Sequence, residues 1–407
     1  MTSFAQRHSV CDHCLRPTIA TLSFDASEIV VTKSCSNDPP CIAGQQTCSL
    51  ISSDADYYFK TWISSPGTIP SQGLSGLVIE VTDDCNLRCP TCIAGSEPGA
   101  GNTKDLSLIR QMIHSAELCS RKPDMLMISG GEPTIHPAIE EILKLACQSS
   151  IDRVMLITNG KRIAEEPAFV QVIAALRDKL EIYLQFDSLD AAVLTNIRGE
   201  DLSAIRVGAL NHLREYGFSV TLVSVVKKGL NDHLCGDVIR FALQFNNVRG
   251  VTFQPIKASG RTDSLNNGTQ GVIDLASVRN SIIGSDVGVL EEDILPHPLN
   301  PENICIAYLR RSSNSVEAIT KELLHGDNGE SPLAKSLYFL PKHNTPEYCY
   351  DDLFRVSIIS FMDKYTFFRE LLPYSTIGFI TPGGLSIALD SYYMRNREEI
   401  EDDHEKK

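Results

Sequence analysis

The stretch LVIEVTDDCNLRCPTC, residues 77–92, decides how this chain is read. Its first six residues, Leu77–Thr82, form an apolar run of strand length, and Cys85, Cys89 and Cys92 follow directly. A short continuous apolar run reads as a strand buried on both faces, so the cysteines stand on the loop at its C-terminal end. Three thiols at spacings of four and three suit three corners of an iron–sulfur cubane, which takes four ligands when closed. No fourth cysteine lies nearby, which leaves one iron open to a ligand. A zinc knuckle with a distant fourth ligand is the competing reading.

One strand–helix unit later stands MLMISGGEPTIHP, residues 125–137. Paired glycines at a strand end let a backbone approach closely, and Glu132 offers an acceptor for an ammonium group. Gly, Glu and Pro also suit an ordinary helix start. The weight comes from position, one βα unit after the cysteine triplet. Further strands read at Val154–Thr158, Ile182–Phe186, Val220–Val226 and Val251–Gln254. Helical stripes lie between them, as at Ile139, Ile142, Leu143, Ala146 and Cys147, or Phe169, Val172, Ile173 and Leu176. This alternation predicts an α/β fold, a partial (β/α)6 TIM-like barrel with its site at the C-terminal strand ends.

The two motifs together resemble the radical S-adenosylmethionine (SAM) superfamily. The resemblance implies a 4Fe-4S cluster on Cys85, Cys89 and Cys92, with SAM on its open iron and its methionine amine received by Gly130, Gly131 and Glu132 of the Gly-Gly-Glu-Pro133 motif. It also implies that Thr158-Asn159-Gly160 and Gln185-Phe186-Asp187-Ser188 line the SAM and substrate cavity. Asp187 is then a candidate for a ribose hydroxyl, and Arg198 for bidentate pairing with a carboxylate. The plainer readings are a helix cap for Ser188 and a surface arginine for Arg198. Thr91 departs from the aromatic residue common before the third cysteine.

The N-terminal region adds Cys11-Asp-His-Cys14, Cys35, Cys41 and Cys48. Paired cysteines about twenty residues apart can close a tetrahedron around zinc or iron. Cys11, Cys14, Cys35 and Cys41 are the candidate ligands, with Cys48 an alternative fourth and His13 a competitor. These elements, with Lys33-Ser-Cys35, Gly229-Leu-Asn-Asp232, Phe253-Gln-Pro255, Gly260-Arg261 and Ser360-Phe-Met-Asp363-Lys-Tyr-Thr-Phe367, resemble one branch of the superfamily: the tetraether-lipid synthases and pterin-methylating enzymes. That branch usually carries further cysteines after the Met-Asp motif, whereas residues 368–394 here hold none. Cys119, Cys147 and Cys235 read as core, and Trp62, Tyr57, Tyr58 and Phe59 as the anchor of the N-terminal element.

Bulk properties agree with an ordinary globular chain: 407 residues, 43% hydrophobic and 22% charged. The formal charge of -14 argues against general attraction to nucleic acid, and part of it lies in the terminal run EEIEDDHEKK. Eight of the thirteen cysteines fall in the first 92 residues, a clustering that points to metal rather than disulfides in a reducing compartment. No apolar leader or membrane-spanning run is visible, so a cytoplasmic location is expected. The expected divisions are a cysteine-rich element at 1–63, a linker at 64–76, the core at 77–261 and an α+β extension at 262–407. The expected activity is reductive cleavage of SAM to functionalise an unactivated carbon of a small-molecule or lipid-like substrate. C–C bond formation or methyl transfer is favoured by resemblance, with an electron donor such as flavodoxin or ferredoxin. A non-catalytic metal-binding or redox module, or a peptide- or nucleoside-modifying enzyme, is the alternative.

Overall fold

The computed structural model describes residues 2–35, 46–58, 74–262, 271–297, 300–312, 316–324 and 349–392. Cys41, Phe59, Trp62 and residues 64–73 of the expected linker lie outside the described residues.

The N-terminal region is an antiparallel sheet of β1 (Thr2–Val10), β2 (Pro17–Asp25), β3 (Glu28–Ser34) and β4 (Gln46–Ser52), in chain order. The sequence reading expects only a cysteine-rich element here, without a sheet. The strands escape it because Arg7, Ser9, Thr18 and Lys33 occupy buried positions and blur the alternation. One face of this sheet places Ala20, Leu22, Ile29 and Val31, with Tyr58, against Met362, Phe367, Phe368 and Leu371. Polar ties fix the seam. Arg7 forks onto Glu302 at 2.8 and 2.9 Å, and the Lys33 ammonium donates to Asp12 at 3.0 Å and to the Lys364 carbonyl at 2.7 Å.

The central region alternates strand and helix: β5 (Gly76–Glu80), α1 (Leu106–Glu117), β6 (Met125–Ser129), α2 (Ile139–Gln148), β7 (Arg153–Thr158), α3 (Lys161–Glu165) and α4 (Pro167–Ile173). It continues with β8 (Leu180–Gln185), α5 (Ala191–Arg198), α6 (Ser203–Glu215), β9 (Val220–Val226), α7 (Cys235–Ala242) and β10 (Val248–Pro255). The six strands lie parallel and adjacent in chain order. Their apolar runs are continuous because both faces are covered. In β6, Leu126 and Ile128 join the layer packed under the helices, while Met125 and Met127 turn inward with Val78, Met155 and Tyr183. Helix α1 buries Ile109, Met112, Ile113 and Ala116, and α2 buries Ile139, Ile142, Leu143 and Ala146 with Cys147 half-buried, whereas on α4 Val170 is buried with Phe169 and Ile173 and the expected Val172 is exposed. Asp105 caps α1 by accepting from the Leu108 amide at 2.8 Å.

The C-terminal region extends both edges of this same sheet. β11 (Leu295–Pro296), β12 (Ile304–Arg311) and β13 (Val316–Ala318) form an antiparallel group attached to β14 (Leu353–Ile359), and β14 lies parallel beside β10. At the other edge β15 (Ile377–Ile380) lies parallel beside β5 and turns back as β16 (Ser386–Ala388). Each edge of the six-stranded core is therefore paired rather than left as an open ladder. Cys305 sits on β12, fully buried. Among the described residues no helix is long and apolar enough to cross a membrane.

Candidate active site

The C-terminal ends of β5 to β10 open into a cavity of about 230 Å³. Cys85, Cys89 and Cys92 line it, as do Gly130, Gly131, Glu132, Asn159, Gln185 and Arg198. The structure thus gathers residues from four strand ends and the end of α5 that the sequence spreads over more than a hundred positions.

The cysteine loop is held from several directions. Asp84 accepts from the amides of Cys85 and Gly99, at 3.0 and 2.8 Å, which folds the loop back on itself. Thr91 donates to the Ile197 carbonyl at 3.0 Å, tying the loop to the end of α5. The amide of Arg261 donates to the Cys92 carbonyl at 3.0 Å, and its guanidinium donates to the carbonyls of Cys89 at 2.9 Å and Gly95 at 2.8 Å. Gly260 permits this clamp, because a Cβ there would meet the Cys92 carbonyl oxygen at 2.5 Å. Sequence reading noted Gly260-Arg261 only as a resemblance. The separation along the chain hid the clamp.

The paired glycines serve a packing need in addition to ligand approach. A Cβ on Gly130 would lie 2.2 Å from the Thr82 carbonyl oxygen, and one on Gly131 would lie 2.1 Å from that of Asp84. The Gly131 amide donates to Thr82 at 2.7 Å and the Glu132 amide to Asp84 at 2.9 Å. Glu132 is buried. Its Oε1 accepts from the Thr134 amide, the Thr134 hydroxyl and the Thr158 hydroxyl, and its Oε2 accepts from the Asn159 amide at 2.7 Å. Oε1 is saturated, so remaining acceptor capacity lies on Oε2. Burial pushes the carboxyl up and the donors, the Asn159 amide first, pull it back. Pro133 starts a short helical turn capped by Glu132 and does not line the cavity.

Two expectations change. Asp187 does not line the cavity. Its carboxylate is fully buried, gripped by Arg198 at 2.6 and 2.7 Å, and accepts from the Val225 amide at 3.1 Å. It is a counterion behind the wall, not a group presented to a ribose. Arg198 spends its fork on Asp187 and on Gln185, at 2.6 Å, and so is not available for bidentate capture of a ligand carboxylate. Behind both lies Arg206, fully buried and bonded to the Asn159 carbonyl, a residue that sequence reading missed because an arginine in the first turn of α6 carries no motif signal.

The residues fit a bound cluster. Burial pushes Cys85 up to about 12, and Glu132, Cys89 and Cys92 add to the effect. Burial also raises Cys89, with Arg198 opposing. Three crowded thiols with too little cation around them are what a positively charged iron core offsets.

The second cysteine group lies at one end of the N-terminal sheet. The sulfurs of Cys11, Cys14 and Cys35 lie within 4.8 Å of one another, with Cys14 and Cys35 3.9 Å apart. Zn–S bonds of about 2.3 Å in a tetrahedron put sulfurs about 3.8 Å apart, so this trio suits a single ion. Among the described residues it is the set that closes so tightly, and the wider Cys85 trio suits cluster corners. Among the described residues, neither exposed Cys48 nor exposed His13 joins the trio.

The sequence model of the Radical SAM superfamily matches residues 79–242. Residues 79–242 are a radical SAM domain. Among curated proteins, the chain is similar to a 7,8-dihydro-6-hydroxymethylpterin dimethyltransferase of Methanocaldococcus jannaschii. The two are 27% identical over 319 residues, 71% of this chain and 60% of that protein. It is also similar to a GTP 3′,8-cyclase of Pseudomonas fluorescens, 31% identical over 176 residues, 41% of this chain and 50% of the cyclase. The chain thus spans half to three-fifths of the length of these relatives. Among solved structures, a radical SAM methyltransferase from Sphaerobacter thermophilus aligns over 70% of this chain and 74% of its own. The identity there is 13% and the TM-score 0.36. The radical SAM fold assignment rests on the strand order and the family match, not on that distant alignment.

Proposed function

We propose that the protein is a radical SAM enzyme that functionalises an unactivated carbon of a small-molecule or lipid-like substrate, by methyl transfer or C–C bond formation. The observation that carries the reading is the convergence of Cys85, Cys89 and Cys92 with the Glu132 carboxylate on one cavity. When bound, a 4Fe-4S cluster and SAM, given one electron by a flavodoxin- or ferredoxin-like donor, supply cleavage of the sulfonium C–S bond and a 5′-deoxyadenosyl radical that takes hydrogen from carbon.

The chain's own residues supply the rest. Cys85, Cys89 and Cys92 would hold the cluster. Glu132 Oε2 and the backbone of Gly130 and Gly131 would receive the methionine ammonium, and Asn159, fixed by its bond to Asn86 at 2.7 Å, faces the same space. Arg198, neutralised by Asp187, stiffens the wall beside Cys89. The apolar interior keeps water from a reactive intermediate. The pterin-methylating relative favours methyl transfer, and the apolar lining favours a substrate with hydrocarbon character. Cys11, Cys14 and Cys35 would hold zinc or iron, with Cys41 the fourth candidate.

The test is anaerobic purification followed by iron, sulfide and zinc analysis, then EPR of the reduced protein with and without SAM. Roughly four irons, a signal shifted by SAM and release of 5′-deoxyadenosine, all lost in a Cys85→Ala/Cys89→Ala/Cys92→Ala variant, support the reading. Zinc without a cluster after careful reconstitution would refute it.

A further inference from the structure

Among the described residues, three charged side chains line the cavity: Glu132, Arg198 and Lys257. The first two are engaged, Glu132 by four donors and Arg198 by Asp187 and Gln185. Lys257 differs. It stands two residues past β10, half-buried, and among the described residues its ammonium has no hydrogen-bond or ion-pair partner. Asp390 attracts it only from a distance. The oxygens of that carboxylate are taken by the Met362 amide at 2.7 Å and the Ser375 hydroxyl at 2.9 Å. A partly desolvated ammonium without a partner is costly, and one facing a ligand cavity is a ready site for an anion.

The part of the wall that the C-terminal extension contributes has the opposite character, while Asn159, Gln185 and Gln254 keep the barrel side polar. Ile359, Phe361, Ile377, Phe379 and Leu389 line the cavity from the C-terminal extension, and all five are hydrocarbon. They arrive because β14 and β15 extend the two edges of the barrel sheet. A nucleotide or peptide body against this wall would leave its polar groups without partners. An aliphatic body would not.

We infer that the substrate is an amphiphile whose aliphatic body packs on this wall and whose anionic head, a carboxylate or a phosphate, is bound by Lys257. The inference rests on the radical SAM reading for its chemistry and adds the substrate class.

The test uses decanoate, decyl phosphate and decanol as probes. Each is titrated calorimetrically into the anaerobically reconstituted protein with SAM present. One anion should bind about tenfold or more tighter than decanol, and the better anion identifies the head group. Lys257→Met should abolish that preference and Lys257→Arg should keep it, with SAM affinity and iron content unchanged in both. Lys257→Gln takes the place of the methionine variant if that one does not fold. Equal binding of all three probes to the native protein overturns the inference, as does a preference that survives in Lys257→Met. Loss of SAM affinity in Lys257→Met with the anion preference intact also overturns it, by assigning the lysine to the SAM carboxylate. Failure of the radical reading is separate and would appear as native protein that yields no 5′-deoxyadenosine.

Discussion

Arg261 donates through Nη1 to the carbonyl oxygen of Cys89 at 2.9 Å, joining positions 172 residues apart. This one side chain ties the loop after the first barrel strand to the segment after the last. Arg261→Met should leave the carbonyls of Cys89 and Gly95 without these donors. The expected cost is about 2 kcal/mol, since each unmet acceptor is worth about 1–3 kcal/mol and the site is partly solvated. Iron retained after anaerobic desalting should fall more than far-UV ellipticity, and Arg261→Lys should recover part of it.

Gly131 and Gly99 separate steric need from conformational need. A Cβ on Gly131 would lie 2.1 Å from the Asp84 carbonyl oxygen, whereas Gly99, at φ +81°, has nothing within 4 Å. Gly131→Ala should cost about 3 kcal/mol through overpacking against backbone. Gly99→Ala should cost about 1 kcal/mol through its left-handed backbone alone. Urea titration of both variants reads the difference, and equal costs would contradict it.

Asp187 is the buried counterion of two arginines, with Arg198 at 2.6 Å and Arg206 at 3.7 Å. Asparagine matches its shape and tolerates its φ of 61°. Asp187→Asn therefore isolates the charge. Leaving buried guanidinium groups without a carboxylate should cost about 3–5 kcal/mol. A melting temperature within a degree or two of the native value would show that the charge is compensated elsewhere.

His297 is fully buried, and burial, with Arg355 nearby, lowers it to about 3. It is neutral in the folded protein, while the unfolded chain takes up a proton below its ordinary value near 6.5. Stability from this group is therefore intact at neutral pH and lost as pH falls from about 6.5 toward 3. The loss between pH 7 and pH 5 should be about 2 kcal/mol, and His297→Asn should flatten that slope in urea titrations at the two pH values.

The N-terminal trio predicts a metal separable from the cluster. Cys14→Ala should remove one zinc or iron per chain and leave the cubane EPR signal in place. Loss of that signal as well would show that the two sites are not independent.

The sequence alone determined the barrel core, because its information is local. Strands such as Met125–Ser129 and Val220–Val226 match their apolar runs, since a strand covered on both faces has no polar positions to confuse the reading. The placement of the cysteine triplet and the Gly-Gly-Glu-Pro motif at strand ends was legible for a similar reason, since each is a short contiguous run directly after an apolar strand. Tertiary structure decided what distant residues do to one another. It turned Asp187 and Arg198 from ligand-binding candidates into a buried pair, and made Arg261 the clamp of the cysteine loop. It also brought Ile377 and Phe379 to the far wall of the cavity opened by the barrel strands. Charge pairing and cavity lining depend on which strands become neighbours, and a linear pattern does not encode that for β5 and β15, some three hundred residues apart.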